Sequence, residues 1–135
     1  MKYKSLPHTA DIKFQAFGKS LEEAFINSAL ALKEAILGKI KIEEKIEKKI
    51  SVSGDDKESL LYNFLEEFLF LLDAKDFLFS KIKNLEIKNN NLKAVIIGDK
   101  ASNYKFSNDV KAITYNEMFV KKEKGKWIIQ VVLDV

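Results

Sequence analysis

Between residues 11 and 17 apolar and polar side chains alternate, with Ile12, Phe14 and Ala16 on one side and Lys13 and Gln15 on the other. A period of two belongs to a strand with one buried face, and Gly18 closes the run. The period then lengthens to that of a helix. Leu21, Ala24, Phe25, Ala29, Leu32 and Ile36 share one face, opened by the Ser20 and Glu23 capping pattern and stopped by Gly38. Ile46, Ile50 and Val52 alternate with polar residues in a further strand, where Lys48 occupies an otherwise apolar position that an edge strand tolerates. Asp55 and Glu58 suggest a second capping box. After it Leu60, Leu61, Phe64, Leu65, Phe68, Leu71 and Leu72 form a wide apolar stripe that ends near Ala74.

The remaining pattern predicts strands at about 79–88, 92–98, 110–121 and 127–135, with hairpin chemistry at Asn89-Asn90-Asn91 and Lys124-Gly125. In the last of these, Trp127, Ile129, Val131 and Leu133 face one way, and Ile128, Gln130, Val132 and Asp134 the other. The expected architecture is α+β: two helices packed on a mainly antiparallel sheet of about six strands. An interior strand that runs to Val135 would hold that end of the chain in place.

Composition narrows the class. The chain has 135 residues, nearly half hydrophobic, with a single proline, five glycines and no internal repeat or linker, as expected for one domain over 1–135. No stretch approaches the ~18–20 apolar residues of a membrane span, and the opening Met-Lys-Tyr-Lys-Ser-Leu-Pro lacks the hydrophobic block of a signal peptide, so a cytoplasmic location is expected. Absence of cysteine excludes disulfides, zinc-thiolate sites and cysteine nucleophiles. The net charge is +3, and every basic side chain apart from His8 is lysine, for there is no arginine. Lysine is a hydrated point charge without the planar fork that reads guanine edges, which argues against sequence-specific nucleic-acid recognition by this chain alone.

The candidate chemistry lies at strand ends. Val135 carries the terminal carboxylate, Asp134 adds a second acidic group beside it, and Asp11 begins another strand. If those strands are neighbours, three carboxylates converge, and an oxygen-only ligand set suits Mg²⁺, Ca²⁺ or Mn²⁺ rather than zinc or copper. The same residues also read as a solvated acid at a strand end and a strand-capping aspartate. His8, the single histidine, has no second histidine or cysteine with which to bind zinc, and its plain role is to shape the entry loop. Lys111 interrupts an apolar run and is either a neutralising cation for the acidic cluster or one polar position on a wet strand face. No nucleophile elbow, phosphate-binding loop or dinucleotide fingerprint is present, which disfavours an autonomous enzyme.

Four segments, His8-Thr9-Ala10-Asp11-Ile12, Phe79-Ser80, Val110-Lys111-Ala112-Ile113-Thr114-Tyr115 and Val131-Val132-Leu133-Asp134-Val135, stand in an order and spacing that resembles the archease family over essentially the whole chain. The resemblance implies an α+β fold related to strand-helix-strand-strand modules. It further implies a non-catalytic cofactor of the RtcB-type RNA ligase that joins tRNA halves after intron removal, promoting guanylylation of the ligase and its repeated turnover. Carried over by position, the family's metal ligands fall on Asp11, Asp134 and Val135, with calcium the expected ion, and Lys111 matches the lysine of the family's Lys-Ala-x-Thr segment. Contact with tRNA would then be indirect, through the ligase. Asn116 departs from the histidine common after the aromatic in relatives, and it keeps an oxygen ligand but cannot titrate near neutrality. The competing class is a general chaperone or interaction module whose acidic cluster is incidental.

Overall fold

A computed structural model describes residues 1–6 and 11–135. Its elements are β1 (Tyr3–Leu6), β2 (Ile12–Gly18), α1 (Leu21–Leu37), β3 (Ile46–Ser53), α2 (Lys57–Lys75), β4 (Phe77–Lys88), β5 (Asn91–Lys100), β6 (Ala112–Glu123) and β7 (Lys126–Asp134). The strands form two antiparallel sheets. One has the order β1-β2-β7-β6 and the other β3-β5-β4. The expected α+β architecture of two helices on antiparallel strands is present, with the strands divided between two sheets. The reason lies in the helices. α1 buries an arc that runs from Asn27 through Ala31, Ala24, Ser28, Leu32 and Phe25 to Ala29, about 200° at 100° per residue, and both helices touch strands of both sheets. β1, which the alternation did not announce, is a short edge strand with two exposed central residues.

Local chemistry sets the element ends. At α1 the Ser20 hydroxyl accepts from Glu23 N at 3.1 Å, while the Glu23 carboxylate accepts from Lys19 N at 3.3 Å. The second capping box is displaced by one residue from the Asp55 and Glu58 expected. Asp56 accepts from Ser59 N at 2.7 Å, and the Ser59 hydroxyl accepts from Asp56 N at 3.1 Å and Asp55 N at 2.8 Å. Glu58 is thereby released from the cap and accepts from Val120 N at 3.2 Å, tying α2 to β6. Both hairpins turn on paired positive φ values, 53° and 58° at Asn89 and Asn90, and 53° and 75° at Lys124 and Gly125. Lys48 lies on an edge strand, as expected, with its ammonium 5.3 Å from the Phe77 ring centre.

A single core fills the space between elements, and aromatic rings run through it. Phe25 of α1 lies 5.7 Å from Phe64 of α2, Phe64 meets Phe68 edge-on at 5.1 Å, and Phe68 reaches Phe79 of β4 at 4.4 Å. The inner faces of the sheets supply Phe14, Ala16, Ile129, Val131 and Leu133 from one side and Leu92, Ala94 and Ile96 from the other. Among the described residues no helix is long and apolar enough to cross a membrane.

Candidate functional site

The acidic residues singled out in the sequence meet at one end of the four-stranded sheet. β7 is flanked by β2 and β6, with Ile12 paired to Leu133 and Ala112 paired to Asp134. Continuing those registers by one residue sets Asp11 across from Asp134, and Lys111 across from Val135. The Lys111 backbone N donates to the Asp134 carbonyl at 2.8 Å, so the ladder extends to this end. By strand alternation Asp134 projects from the face turned away from the helices, whereas the Val135 side chain packs against the core, and Asp11 lies in the bend that leads into β2. Asp134 and Lys111 are exposed, and Asp11 and Val135 are half-buried. Carboxylates facing one another across a ladder repel, and a cation or hydrogen-bond donor between them relieves that repulsion.

Among the described residues no three His, Cys, Asp or Glu side chains gather in metal-binding geometry. Asp11 and Asp134 offer two carboxylates near one another, oxygen donors of the kind hard divalent ions accept. His8 lies outside the described residues.

Next to these carboxylates, on the same outward face, is a polar network that sequence patterning did not reveal. Between the pairs Thr114–Val132 and Phe119–Gln130, β6 advances five residues while β7 advances two. The extra residues form a bulge whose Glu117 has φ 55°. It folds over the sheet. The Glu117 carboxylate meets the Lys13 ammonium at 3.1 Å, its carbonyl accepts from the Gln130 amide at 2.8 Å, and the Gln130 oxygen accepts from Gln15 at 2.9 Å. The Thr114 hydroxyl donates to the Val132 carbonyl at 3.0 Å, and Val132 is fully buried although it lies outside the main core. Asn116 is exposed within this bulge, and Tyr115 stacks on Tyr62 of α2 at 4.3 Å. The only sequence signal was the lapse of alternation at Tyr115-Asn116-Glu117.

The Phe79-Ser80 segment serves the fold. Phe79 is in the core, and the Ser80 carbonyl accepts from the half-buried Lys33 ammonium at 2.6 Å. Burial pulls the Lys33 pKa below the usual lysine range. Asp99 is a buried carboxylate that patterning also missed. It accepts from the Tyr104 hydroxyl at 2.7 Å and from Lys100 N at 2.8 Å. The Tyr104 bond, more than any other contact, holds the Asp99 pKa below the ordinary carboxylate value. The Tyr104 oxygen also accepts from Glu43 N at 2.9 Å, which fixes the segment leading into β3.

An α+β protein of two antiparallel sheets with an acidic strand-end cluster is the class these features define. Comparison with known proteins gives the family. The archease protein family (MTH1598/TM1083) matches residues 3–135. Protein archease of Pyrococcus furiosus is 41% identical over 142 residues, covering 99% of this chain and 99% of that protein. Protein archease of Methanosarcina mazei is 37% identical over 140 residues, covering 99% of this chain and 96% of its own length. The solution structure of Methanobacterium thermoautotrophicum protein 1598 superposes with a TM-score of 0.83 at 34% identity, covering 98% of both chains. The crystal structure of an archease from Thermotoga maritima, described as a possible chaperone, shares the fold with a TM-score of 0.69 at 21% identity, over 98% of this chain and 96% of the other. The chain belongs to the archease family.

Proposed function

We propose that this protein is an accessory cofactor of an RtcB-type RNA ligase in tRNA splicing, an activator rather than an autonomous enzyme. The observation that carries the reading is the pairing of β2 with β7 up to Ile12 and Leu133, which brings the adjacent Asp11 and Asp134 to one end of the sheet, beside Lys111, in a chain of the archease family. Strand β7, paired on both sides, keeps these carboxylates in fixed relation, so they can be presented to a partner without reordering. A divalent cation, calcium or in its place magnesium or manganese, supplies when bound a positive centre that offsets phosphate charge. Asp11, Asp134 and the Val135 carboxylate would hold it. Lys111 stands beside them as a cation for a nucleotide phosphate or an acidic side chain of the ligase.

Guanylylation of the ligase by GTP, measured with and without this protein, is the test. Asp11→Ala and Asp134→Ala should each remove the stimulation while thermal unfolding stays within a few degrees of wild type, and Lys111→Ala should reduce it. Full stimulation by a folded Asp11→Ala/Asp134→Ala variant that binds no calcium would exclude this mechanism. A general interaction module is the second reading, consistent with the description of the Thermotoga maritima relative as a possible chaperone. Crosslinking in cells separates the two, because one dominant ligase partner supports the cofactor role and a broad client set with no change in guanylylation supports the module.

A further inference from the structure

The opposite end of the same sheet has a different character. Phe17, Ile128 and Phe119 are half-buried, yet none of them belongs to the core or packs against it. The register explains why. Phe17 is paired with Ile128, Ile128 with Lys121, and Phe119 with Gln130, positions that alternate with the core-facing Ala16, Ile129 and Val120. Their side chains therefore lie on the face turned away from both helices. Phe17 and Phe119 sit on the two strands that flank β7, roughly 12 Å apart by strand spacing and rise.

Lysines surround these rings. The ammonium groups of Lys4 and Lys126 lie 5.8 and 5.0 Å from the Phe17 ring centre, and that of Lys121 lies 4.7 Å from the Phe119 ring centre. Lys2 adds a further charge at the edge, where its carbonyl accepts from Phe17 N at 2.9 Å. Glu123 offsets part of this through an exposed ion pair with Lys121 at 3.6 Å. Cation–ring contacts between exposed groups are weak, so these lysines can turn to another anion and leave the ring faces open.

We propose that this aromatic and basic end of the four-stranded sheet binds single-stranded nucleic acid without sequence preference. Flat sheet faces that present rings between cations suit that ligand, because bases stack on the rings while the phosphates meet the charges. An acidic peptide would satisfy the lysines and leave Phe17 and Phe119 without partners. A lipid surface would need apolar side chains that protrude, whereas these rings lie half-sunk in the sheet. All the cations are lysines, which fits recognition of backbone charge rather than of base edges. The surface begins at mid-sheet, where Phe119 pairs with Gln130, runs away from Asp11 and Asp134 to Phe17 and Lys126, and stands independently of the ligase role.

Fluorescence anisotropy with a labelled oligouridylate of about a dozen nucleotides, a length matched to single-stranded sites, tests the proposal. Binding should be saturable at low ionic strength, and its logarithm should fall with the logarithm of salt concentration with a slope of about −2 if three lysines meet phosphates. Phe17→Leu and Phe119→Leu keep apolar bulk but lose the ring, and each should weaken binding by about fivefold or more. Phe17→Tyr should retain it, Lys4→Glu combined with Lys126→Glu should abolish it, and Ser51→Ala, an uncharged change on β3 of the other sheet, should leave it unchanged. Circular dichroism confirms that each variant is folded. Absence of saturable binding would overturn the proposal, as would leucine variants that bind like wild type, or equal affinity for phosphatidylserine vesicles or an acidic peptide.

Discussion

Replacing Gly98 with alanine should force apart two strands in the middle of the three-stranded sheet. A Cβ at this position would stand 1.9 Å from the Leu78 carbonyl oxygen, 2.7 Å from Phe79 Cα and 2.8 Å from Leu78 C. All three are backbone atoms of β4, so no side-chain rotation relieves the overlap. A tolerable carbon–oxygen separation is about 3.3 Å or more, so the chains must part by over 1 Å. β5 is the central strand and cannot simply retreat, because β3 pairs along its other side. Overpacking of this kind costs about 1–3 kcal/mol, and each ladder hydrogen bond lost between Phe77–Phe79 and Gly98–Lys100 adds about 1 kcal/mol. The expected loss is about 3–5 kcal/mol, a large share of the 5–15 kcal/mol that typically stabilises a domain. In urea unfolding followed by circular dichroism, with a slope of about 2 kcal/mol/M, the midpoint should fall by roughly 2 M. Gly125→Ala is the control, because φ is 75° there but no atom lies within 4 Å, and its cost should be only about 1 kcal/mol. Equal, small losses for both variants would refute the reasoning and show that the irregularity between Phe79 and Lys81 lets β4 yield.

Phe64→Ala removes a fully buried ring between Phe25 and Phe68 and should destabilise the protein by about 3–5 kcal/mol in the same urea experiment, with any functional loss following unfolding rather than preceding it. The Tyr3 hydroxyl donates to the Glu34 carboxylate, which raises its pKa from 10.0 to about 12. Tyr3→Phe should remove a tyrosine that titrates at about 12 from an alkaline absorbance titration. Because the folded pKa is the higher one, the wild-type stability due to this bond is complete below pH 10 and disappears toward pH 12. Tyr104→Phe takes from Asp99 the contact that most lowers its pKa. A lowered carboxyl pKa stabilises the fold above the ordinary value near 4 and is lost as pH falls through the folded value, so the gap in stability between wild type and variant should narrow in acid unfolding below about pH 4. Extending the chain beyond Val135 with a short tag moves the carboxylate away from Asp11 and Asp134, and calorimetric affinity for calcium should drop. Unchanged affinity would remove Val135 from the ligand set.

Periodicity revealed the elements whose side chains obey one neighbour at a time. Alternation in β2 and β7 and the apolar stripes of α1 and α2 are visible because each buries a regular face. Gly98 marks the limit of that approach. Its lack of a side chain resembles a strand end, but β5 runs on to Lys100, and the glycine is there because another backbone passes close by. The cap of α2 differed for a related reason. Asp55 and Glu58 fit the local pattern, but Asp56 and Ser59 make the reciprocal bonds while Glu58 is engaged by Val120, a residue 62 positions away. In the candidate site, acidic residues at strand ends were legible, and the pairing of β2 with β7 that sets Asp11 across from Asp134 was an expectation the fold supplies. The Glu117 bulge was not legible, because its hydrogen bonds go to Gln130 and Lys13 on two other strands, and local composition carries little trace of them.

The place of β7 in its sheet has a consequence for how the protein is made. Its partner β2 leaves the ribosome early, but Gln15 must wait for Gln130, 115 residues later. Until then the inner face of β2 and the buried arc of α1 lack half of their cover. Pairing across so long an interval is slow and exposes apolar surface to other chains, so synthesis that stalls before β7 should leave an aggregation-prone product rather than a shorter folded one.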